Sequence, residues 1–205
     1  MPGGMTPRRD ARRFAPADAG RASLPIPGLG HLAPTARTPR KPHNCGDIPM
    51  RIARDGTWYY QGGPIGRKEL VCLFAGVLRR EEDGYWLVTP AERARIVVED
   101  APFVAVELFH CPGTCATGHD QVVSFRTNVD QVVSAGPEHP IRVARDPASG
   151  APIPYVMVRD GLEARINRAV YYELVALAVP EQVGGARCLG VWSRSSFFPL
   201  GDPGA

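Results

Sequence analysis

Arg54-Asp55-Gly56-Thr57-Trp58-Tyr59-Tyr60 and Arg159-Asp160-Gly161-Leu162-Glu163-Ala164-Arg165 are the two stretches whose reading decides the fold. In each, an apolar run ends in Arg-Asp-Gly and a second run follows. A helix-compatible segment then carries Glu-Leu-Val, as Glu69-Leu70-Val71 and as Glu173-Leu174-Val175. The offset from arginine to glutamate is 15 residues in the first copy and 14 in the second, and Thr89 and Ser193 each lie 20 residues beyond their glutamate. An Asp-Gly pair between β-type runs is a strong hairpin signal, because both turn residues tolerate φ > 0. The matched offsets predict an internal duplication of a strand-strand-helix-strand unit. Two copies are too few for a solenoid, which needs at least three.

Outward from the first copy, Leu70, Leu73, Phe74, Val77 and Leu78 recur at helical spacing and predict one buried face. Arg79 and Arg80 then fall in the expected last turn, where cations favour the helix dipole. Gly84 restarts extended chain through Tyr85–Thr89 and Arg95–Glu99. Ala101-Pro102 interrupts the pattern and marks a boundary. Beyond it, Phe103–His110, Val122–Thr127, Ile141–Arg145 and Val156–Arg159 alternate as strands do, with turn signals between them. A second helix is expected near 169–179, ended by Pro180, with short strands around Trp192 and Phe197-Phe198. The predicted class is α+β: a small domain over residues 44–100 and a β-rich one over residues 101–202.

Residues 1–43 are rich in Arg and Pro and show no period, so they read as a disordered tail. An arm that meets nucleic acid or a membrane surface is the alternative. Eight of the 24 basic residues but only two of the 21 acidic ones lie in residues 1–41, leaving 16 against 19 beyond. The net charge of +3 therefore belongs to the tail, and the mildly acidic body argues against a nucleic-acid groove there. No run approaches the ~18 apolar residues of a membrane span. The twin arginines Arg12-Arg13 precede an apolar stretch cut by Pro25 and Pro27, too short for an export signal. The five cysteines are odd in number and scattered, so a reduced cytoplasmic protein without a disulfide framework is expected.

Three segments of the first half carry a family resemblance: Cys45-Gly46-Asp47-Ile48, Arg51-Ile52-Ala53-Arg54-Asp55-Gly56-Thr57-Trp58-Tyr59-Tyr60, and Leu87-Val88-Thr89-Pro90-Ala91-Glu92. Val98 to Glu107, Phe125-Arg126-Thr127-Asn128-Val129-Asp130 and Val158 to Ala164 continue it. Together they resemble a bacterial family known as domain of unknown function 1285, over residues 44–201. The resemblance implies a domain-duplicated α+β protein whose second domain is similar to a pleckstrin-homology barrel. It also implies a ligand pocket between the domains, a nucleotide-like ligand and a signalling role. The tail and the segment from His110 to His119 lie outside the family pattern.

Three local features could carry chemistry. In Gly62-Gly63-Pro64-Ile65-Gly66-Arg67-Lys68, glycines before a helix allow backbone amides to approach an anion, with Arg67 and Lys68 adding charge. A turn entering a helix explains the same residues. The spacing is not that of a P-loop, because three residues separate Gly62 from Gly66 and Glu69 occupies the Ser/Thr position. The second copy has Arg165-Ile166-Asn167-Arg168 there, without glycine. Arg126-Thr127-Asn128 ends an apolar strand, either as an anion clamp or as an Asn-led turn. Thr89-Pro90-Ala91-Glu92 offers a hydroxyl and a carboxylate, or simply stops a strand. His110, Cys111, Cys115 and His119 have zinc-type chemistry but sit in one short loop, which reads as an insertion rather than a metal site.

No G-x-S-x-G, H-E-x-x-H or complete G-x-G-x-x-G occurs, so no catalytic set, cofactor or metal is expected. The leading expectation is a non-enzymatic protein that binds a small anionic ligand between its domains. Gly66, Arg67, Lys68, Thr89, Arg126, Thr127 and Asn128 would supply polar contacts, and Trp58 or Tyr60 a stacking face. A protein–protein adaptor is the second reading, and a hydrolase or transferase with an unrecognised site the third.

Overall fold

The computed structural model describes residues 41–115 and 118–201; the expected tail falls, up to residue 40, outside them. The N-terminal part opens with β1 (His43–Ile52), which turns into β2 (Trp58–Tyr60) and the two-residue β3 (Gly63–Pro64). Helix α1 (Lys68–Val77) follows, then β4 (Leu78–Glu81), β5 (Gly84–Val88) and β6 (Glu92–Val98). These strands make one sheet in the order β3-β2-β1-β6-β5-β4. It is antiparallel except at its centre, where β1 and β6 run parallel.

The C-terminal part opens with β7 (Phe103–Cys111), β8 (Val122–Thr127) and β9 (Val132–Ser134), then β10 (Ile141–Arg145), β11 (Pro152–Arg159) and β12 (Leu162–Ile166). Their order is β10-β11-β12-β7-β8-β9, again antiparallel except for one central parallel pair, β12 with β7. Counted from its own first strand, the second sheet repeats the strand order of the first. Helix α2 (Arg168–Ala176) leads to β13 (Val179–Val183), β14 (Ala186–Ser193) and β15 (Ser196–Gly201), a separate antiparallel sheet. The whole is strand-rich, with mixed sheets and two helices among the described residues.

Sheet and hairpin do not align the two Arg-Asp-Gly stretches. The first joins strands one and two of its sheet; the second joins strands five and six of the other. Their turns differ as well. Asp160 and Gly161 both take positive φ (41° and 75°), as a tight two-residue hairpin demands. At the first turn Gly56 alone does so (84°). Asp55 instead accepts from the Thr57 amide at 2.9 Å, and the loop closes by Ala53 N–H to Thr57 O at 2.9 Å.

The helices correct the periodicity in three places. In α1 the face that packs inward is Val71, Cys72, Phe74 and Ala75, while Leu70 (38% exposed) and Leu73 (64% exposed) point outward. The helix stops at Val77 because Leu78 turns extended (ψ 137°) and buries itself completely as the first residue of β4. Arg79 and Arg80 thus pair with Trp86 and Tyr85 across a hairpin instead of ending a helix. Helix α2 starts on the Asn167 cap, whose side chain accepts from the Val170 amide, and ends at Ala176. Pro180 lies in β13, an edge strand where a missing N–H is tolerated.

Buried side chains from both parts belong to one apolar cluster, from Ile52, Trp58 and Leu78 through Phe103, Phe125 and Ile166 to Leu174 and Val191. Fully burying each such side chain contributes about 1.5–3 kcal/mol relative to exposure.

Candidate functional site

The residues expected to hold an anion divide into three sets. Lys68 and Arg126 do come together, on a carboxylate. Lys68 Nζ lies 2.7 Å from Asp130 Oδ2 and Arg126 Nη1 3.3 Å from Asp130 Oδ1, while Arg126 Nε donates to Glu107 Oε2 at 2.6 Å. Lys68 first, then Arg126, holds the Asp130 carboxyl below its ordinary range. Glu107 raises Arg126. Two cations face two carboxylates, so the cluster is neutral and already joins α1 to the β8–β9 turn.

Thr127 and Asn128 are braces. Thr127 is fully buried, and its hydroxyl accepts from the Gln131 amide at 3.1 Å. Asn128 accepts from the Val104 amide at 3.0 Å and donates to Gly56 O at 3.2 Å, tying the β8–β9 turn to the first Arg-Asp-Gly turn. Thr89 closes the β5–β6 turn on Glu92 through bonds of 2.9 and 3.0 Å.

Trp58 corrects the stacking expectation. It is 1% exposed and stacks on Phe74 at 6.2 Å, so no base reaches its face without opening the core. Its indole nitrogen is buried with no hydrogen-bond partner among the described residues. Tyr60 is 45% exposed. Gly66 has negative φ and would meet nothing as alanine, so neither backbone conformation nor a close approach requires glycine there. Arg67 is exposed at the start of α1, which has no side-chain cap.

A different set of cations converges where the two parts meet. A cleft of about 560 Å³ is lined by Arg54 and Asp55 of the first turn, Val104 and Val106 of β7, and Arg165, Asn167 and Arg168 at the entry to α2. The β1–β2 turn reaches it because Asn128 and Val104 crowd Gly56: a Cβ there would sit 2.7 Å from Asn128 Nδ2 and 2.8 Å from Val104 Cγ2. Arg165 Nη1 bonds Asp100 Oδ2 at 2.9 Å, and Asp100 also accepts from the Tyr155 hydroxyl at 2.7 Å. Burial foremost, then that bond, pushes the Tyr155 phenol up to about 12. Arg168 Nε donates to its own helix neighbour Tyr172 at 2.7 Å. The Arg54 guanidinium is exposed and makes no ion pair within 4.0 Å among the described residues. Asp55 is committed to its own turn: the Thr57 amide above all holds it below the usual carboxylate range.

Three arginines, the N-terminus of α2 and two valines thus surround one space, against Asp55 and Asp100. The lining holds three cations and one carboxylate, with no His, Cys or Ser among its described residues. The signal in the sequence was the pair Arg165 and Arg168 around a helix cap, in the glycine-free counterpart of the Gly62–Lys68 loop.

The His/Cys loop has another task. His110 bonds Gln121 at 3.0 Å, and His119 stacks on Trp192 at 3.9 Å. Asp120 is held well below its usual range, by Cys115 first and then Thr114. Gln121 O and His119 O accept from the amides of Arg194 and Ser195 at 2.9 Å each. The loop therefore staples the β7–β8 hairpin to the β14–β15 turn. No metal-holding group of three or more His, Cys, Asp and Glu occurs among the described residues.

The fold and cleft define a two-part, strand-rich protein with a basic space at the junction. Its family is shown by two models that meet at this junction. Residues 38–101 match the N-terminal domain of the domain of unknown function DUF1285, and residues 102–200 match the C-terminal domain of the protein of unknown function DUF1285. The chain belongs to the DUF1285 family. A crystal structure of a DUF1285 family protein from Silicibacter pomeroyi DSS-3 is 49% identical, with a TM-score of 0.73 over 80% of this chain and 85% of that one. Another, from Shewanella baltica OS155, is 26% identical, with a TM-score of 0.49 over 63% of this chain and 91% of that one. No curated protein matches the chain. Among the described residues, no helix is long and apolar enough to cross a membrane.

Proposed function

We propose that this DUF1285 protein binds a small phosphate- or carboxylate-bearing ligand in the cleft between its two parts. The observation that carries the reading is the convergence of Arg54, Arg165 and Arg168 on one space of about 560 Å³, a volume within the range of small-molecule sites. Arg54 and Arg168 would meet the anion directly, Arg165 would be oriented by Asp100, and the N-terminus of α2 adds partial positive charge. Val104 and Val106 supply an apolar wall. No aromatic ring lines the cleft among the described residues, so a nucleotide base would rest on valines rather than stack. A signalling role would follow from a ligand that draws the two parts together. The patch of Arg67, Lys68 and Arg126 is the second candidate, weaker because Asp130 and Glu107 already match its charge.

The shared strand order supports reading the two six-stranded sheets as descendants of one unit, with β13–β15 and α2 closing the second towards a barrel. The duplication then runs in a different register from the Arg-Asp-Gly repeat.

The test is calorimetric titration of the full chain with inorganic phosphate, pyrophosphate, nucleotides and cyclic dinucleotides. Arg54→Ala with Arg168→Ala should weaken binding at least about tenfold, the worth of one charged hydrogen bond. Arg67→Ala with Arg126→Ala should leave it unchanged. Undiminished affinity in the first pair sinks the cleft. An adaptor is the second reading, favoured by Leu70 and Leu73, exposed side by side on α1; a partner lost on Leu73→Asp but kept without Arg54 and Arg168 would establish it.

A further inference from the structure

A second cavity, remote in sequence from the first turn, lies wholly within the C-terminal part. The β10–β11 loop is self-contained. Asp146 accepts from the amides of Ala148 and Ser149 at 2.8 and 3.2 Å, and those bonds hold its carboxyl below the usual range. The carboxylate is held chiefly by those amides, with a lesser attraction to Arg54. Arg145, at the end of β10, is left with Nη1 3.3 Å from Gly150 O and with no ion pair within 4.0 Å among the described residues. Across from it stand Tyr171 and Val175 of α2, with Leu189 of β14 and Leu200 of β15, around a pocket of about 360 Å³. A shallower depression of about 260 Å³ continues past Arg145 along Val143 and Pro199.

Three polar side chains line this pocket; Ser149 belongs to its own loop, its hydroxyl accepting from the Ala151 amide at 3.3 Å, and the other two are underused. The Tyr171 hydroxyl reaches Leu200 O only at 3.5 Å, and the Arg145 bond is 3.3 Å; good bonds of these kinds are shorter, about 2.7–3.2 Å for N–H and 2.5–3.0 Å for O–H donors. Burial raises the Tyr171 phenol, so it stays a neutral donor at physiological pH. Two underused donors, one of them a cation, therefore face a largely apolar space whose described lining contains no carboxylate. A ligand that completes both must bring a charged acceptor and an apolar body.

We propose that this pocket binds a small amphipathic carboxylate, in class a medium-chain aliphatic acid. Arg145 and the Tyr171 hydroxyl hold the carboxylate, and Val175, Leu189 and Leu200 pack on the chain. No bond is made or broken; the site is one of binding. It is independent of the cleft at the junction, which shares none of these residues.

The test is calorimetry of the full chain with sodium octanoate, compared with acetate, which lacks the chain, and 1-octanol, which lacks the carboxylate. Saturable octanoate binding is expected, with acetate and octanol each at least about tenfold weaker. Arg145→Ala should weaken octanoate about tenfold or more and Tyr171→Phe by less, as removal of a charged and a neutral hydrogen bond does. Val175→Trp, which fills the pocket and leaves Arg145 in place, should abolish it, with folding checked by the urea midpoint. Arg54→Ala with Arg168→Ala should change nothing. The proposal is overturned by the absence of saturable octanoate binding, by octanol binding as tightly as octanoate, or by insensitivity to Arg145→Ala or to Val175→Trp. Octanoate binding that falls with Arg54 and Arg168 would overturn it too, by moving the acid to the junction.

Discussion

The two Arg-Asp-Gly turns read alike and do opposite things. Arg159 is half-buried: it donates to Ala75 O at the end of α1 at 2.6 Å, bonds Gln131, and lies over the Phe103 ring. Desolvation lowers its pKa, so burial strains its charge and the bonds compensate. Arg54 is exposed at the junction cleft. The glycines are reversed in the same sense. Gly56 is buried under Asn128 and Val104, whereas a Cβ on Gly161 would meet only the flexible Arg80 chain at 3.3 Å. In one turn the glycine is the structural residue and the arginine is available; in the other the arginine is structural and the glycine only shapes a hairpin. Sequence identity across three residues therefore says little about role when the surfaces packed against them differ.

Four experiments would break or sharpen that contrast. The largest effect is expected from Gly56→Ala, which adds a clash with two side chains to an unfavourable φ; about 3 kcal/mol should be lost from urea-unfolding stability. Gly161→Ala, with φ of 75° but movable neighbours, should lose about 1 kcal/mol. Equal losses would mean that Asn128 does not pin the first turn. Next, Arg159→Ala should cost about 2 kcal/mol for its charged hydrogen bonds, while Arg54→Ala should leave the midpoint where it was.

The third concerns the junction at Asp100. The Tyr155 phenol stands at about 12 in the folded chain, above its ordinary 10.0. The unfolded chain then loses this proton first, so stability is intact below pH 10 and declines between about pH 10 and 12. Tyr155→Phe should remove that component of the alkaline slope; an unaltered slope would deny Tyr155 the role. The smallest effect belongs to Lys68→Ala. Its pair with Asp130 is exposed, so the midpoint should move little at low salt and not at all in about 0.5 M salt.

Much of the strand content was legible, because alternation and Asp-Gly or Pro-Gly punctuation are local. Ile141–Arg145 and Val122–Thr127 are strands with those bounds. The short β4, β9 and β13 were not, since three to five residues give no period, and Pro180 inside β13 reads as a stop. The outward Leu70 and Leu73 misled the helix face because spacing identifies apolar residues without saying which neighbour covers them. Lys68 and Arg126 were legible as cations of one region. That Asp130 and Glu107 would occupy them was not, because the pairings cross from α1 to the β8–β9 turn and from β8 to β7. The cleft stayed hidden for the same reason: Arg54 and Arg168 are neighbours only once β1, β7 and α2 are in place. Register across sheets is set by long-range packing, so a repeat visible along the chain need not be the repeat visible in strand order.

The central parallel pairs also set a schedule for synthesis. Ile52 meets Val98, and Phe103 meets Ala164. On the ribosome, β1 therefore waits for residue 98 before its second edge is covered, and β7 waits for residue 164. Pairings this distant in sequence slow folding, because loop closure precedes any contact that rewards it. The first sheet can close while the second is still being made, yet Val104 and Asn128, which lock its Gly56 turn, arrive only afterwards. A nascent chain halted at β6 thus presents a fully paired sheet with an unlocked turn and with its share of the core still lacking Phe103, Phe125 and Ile166, the form in which a chaperone or a protease would meet it.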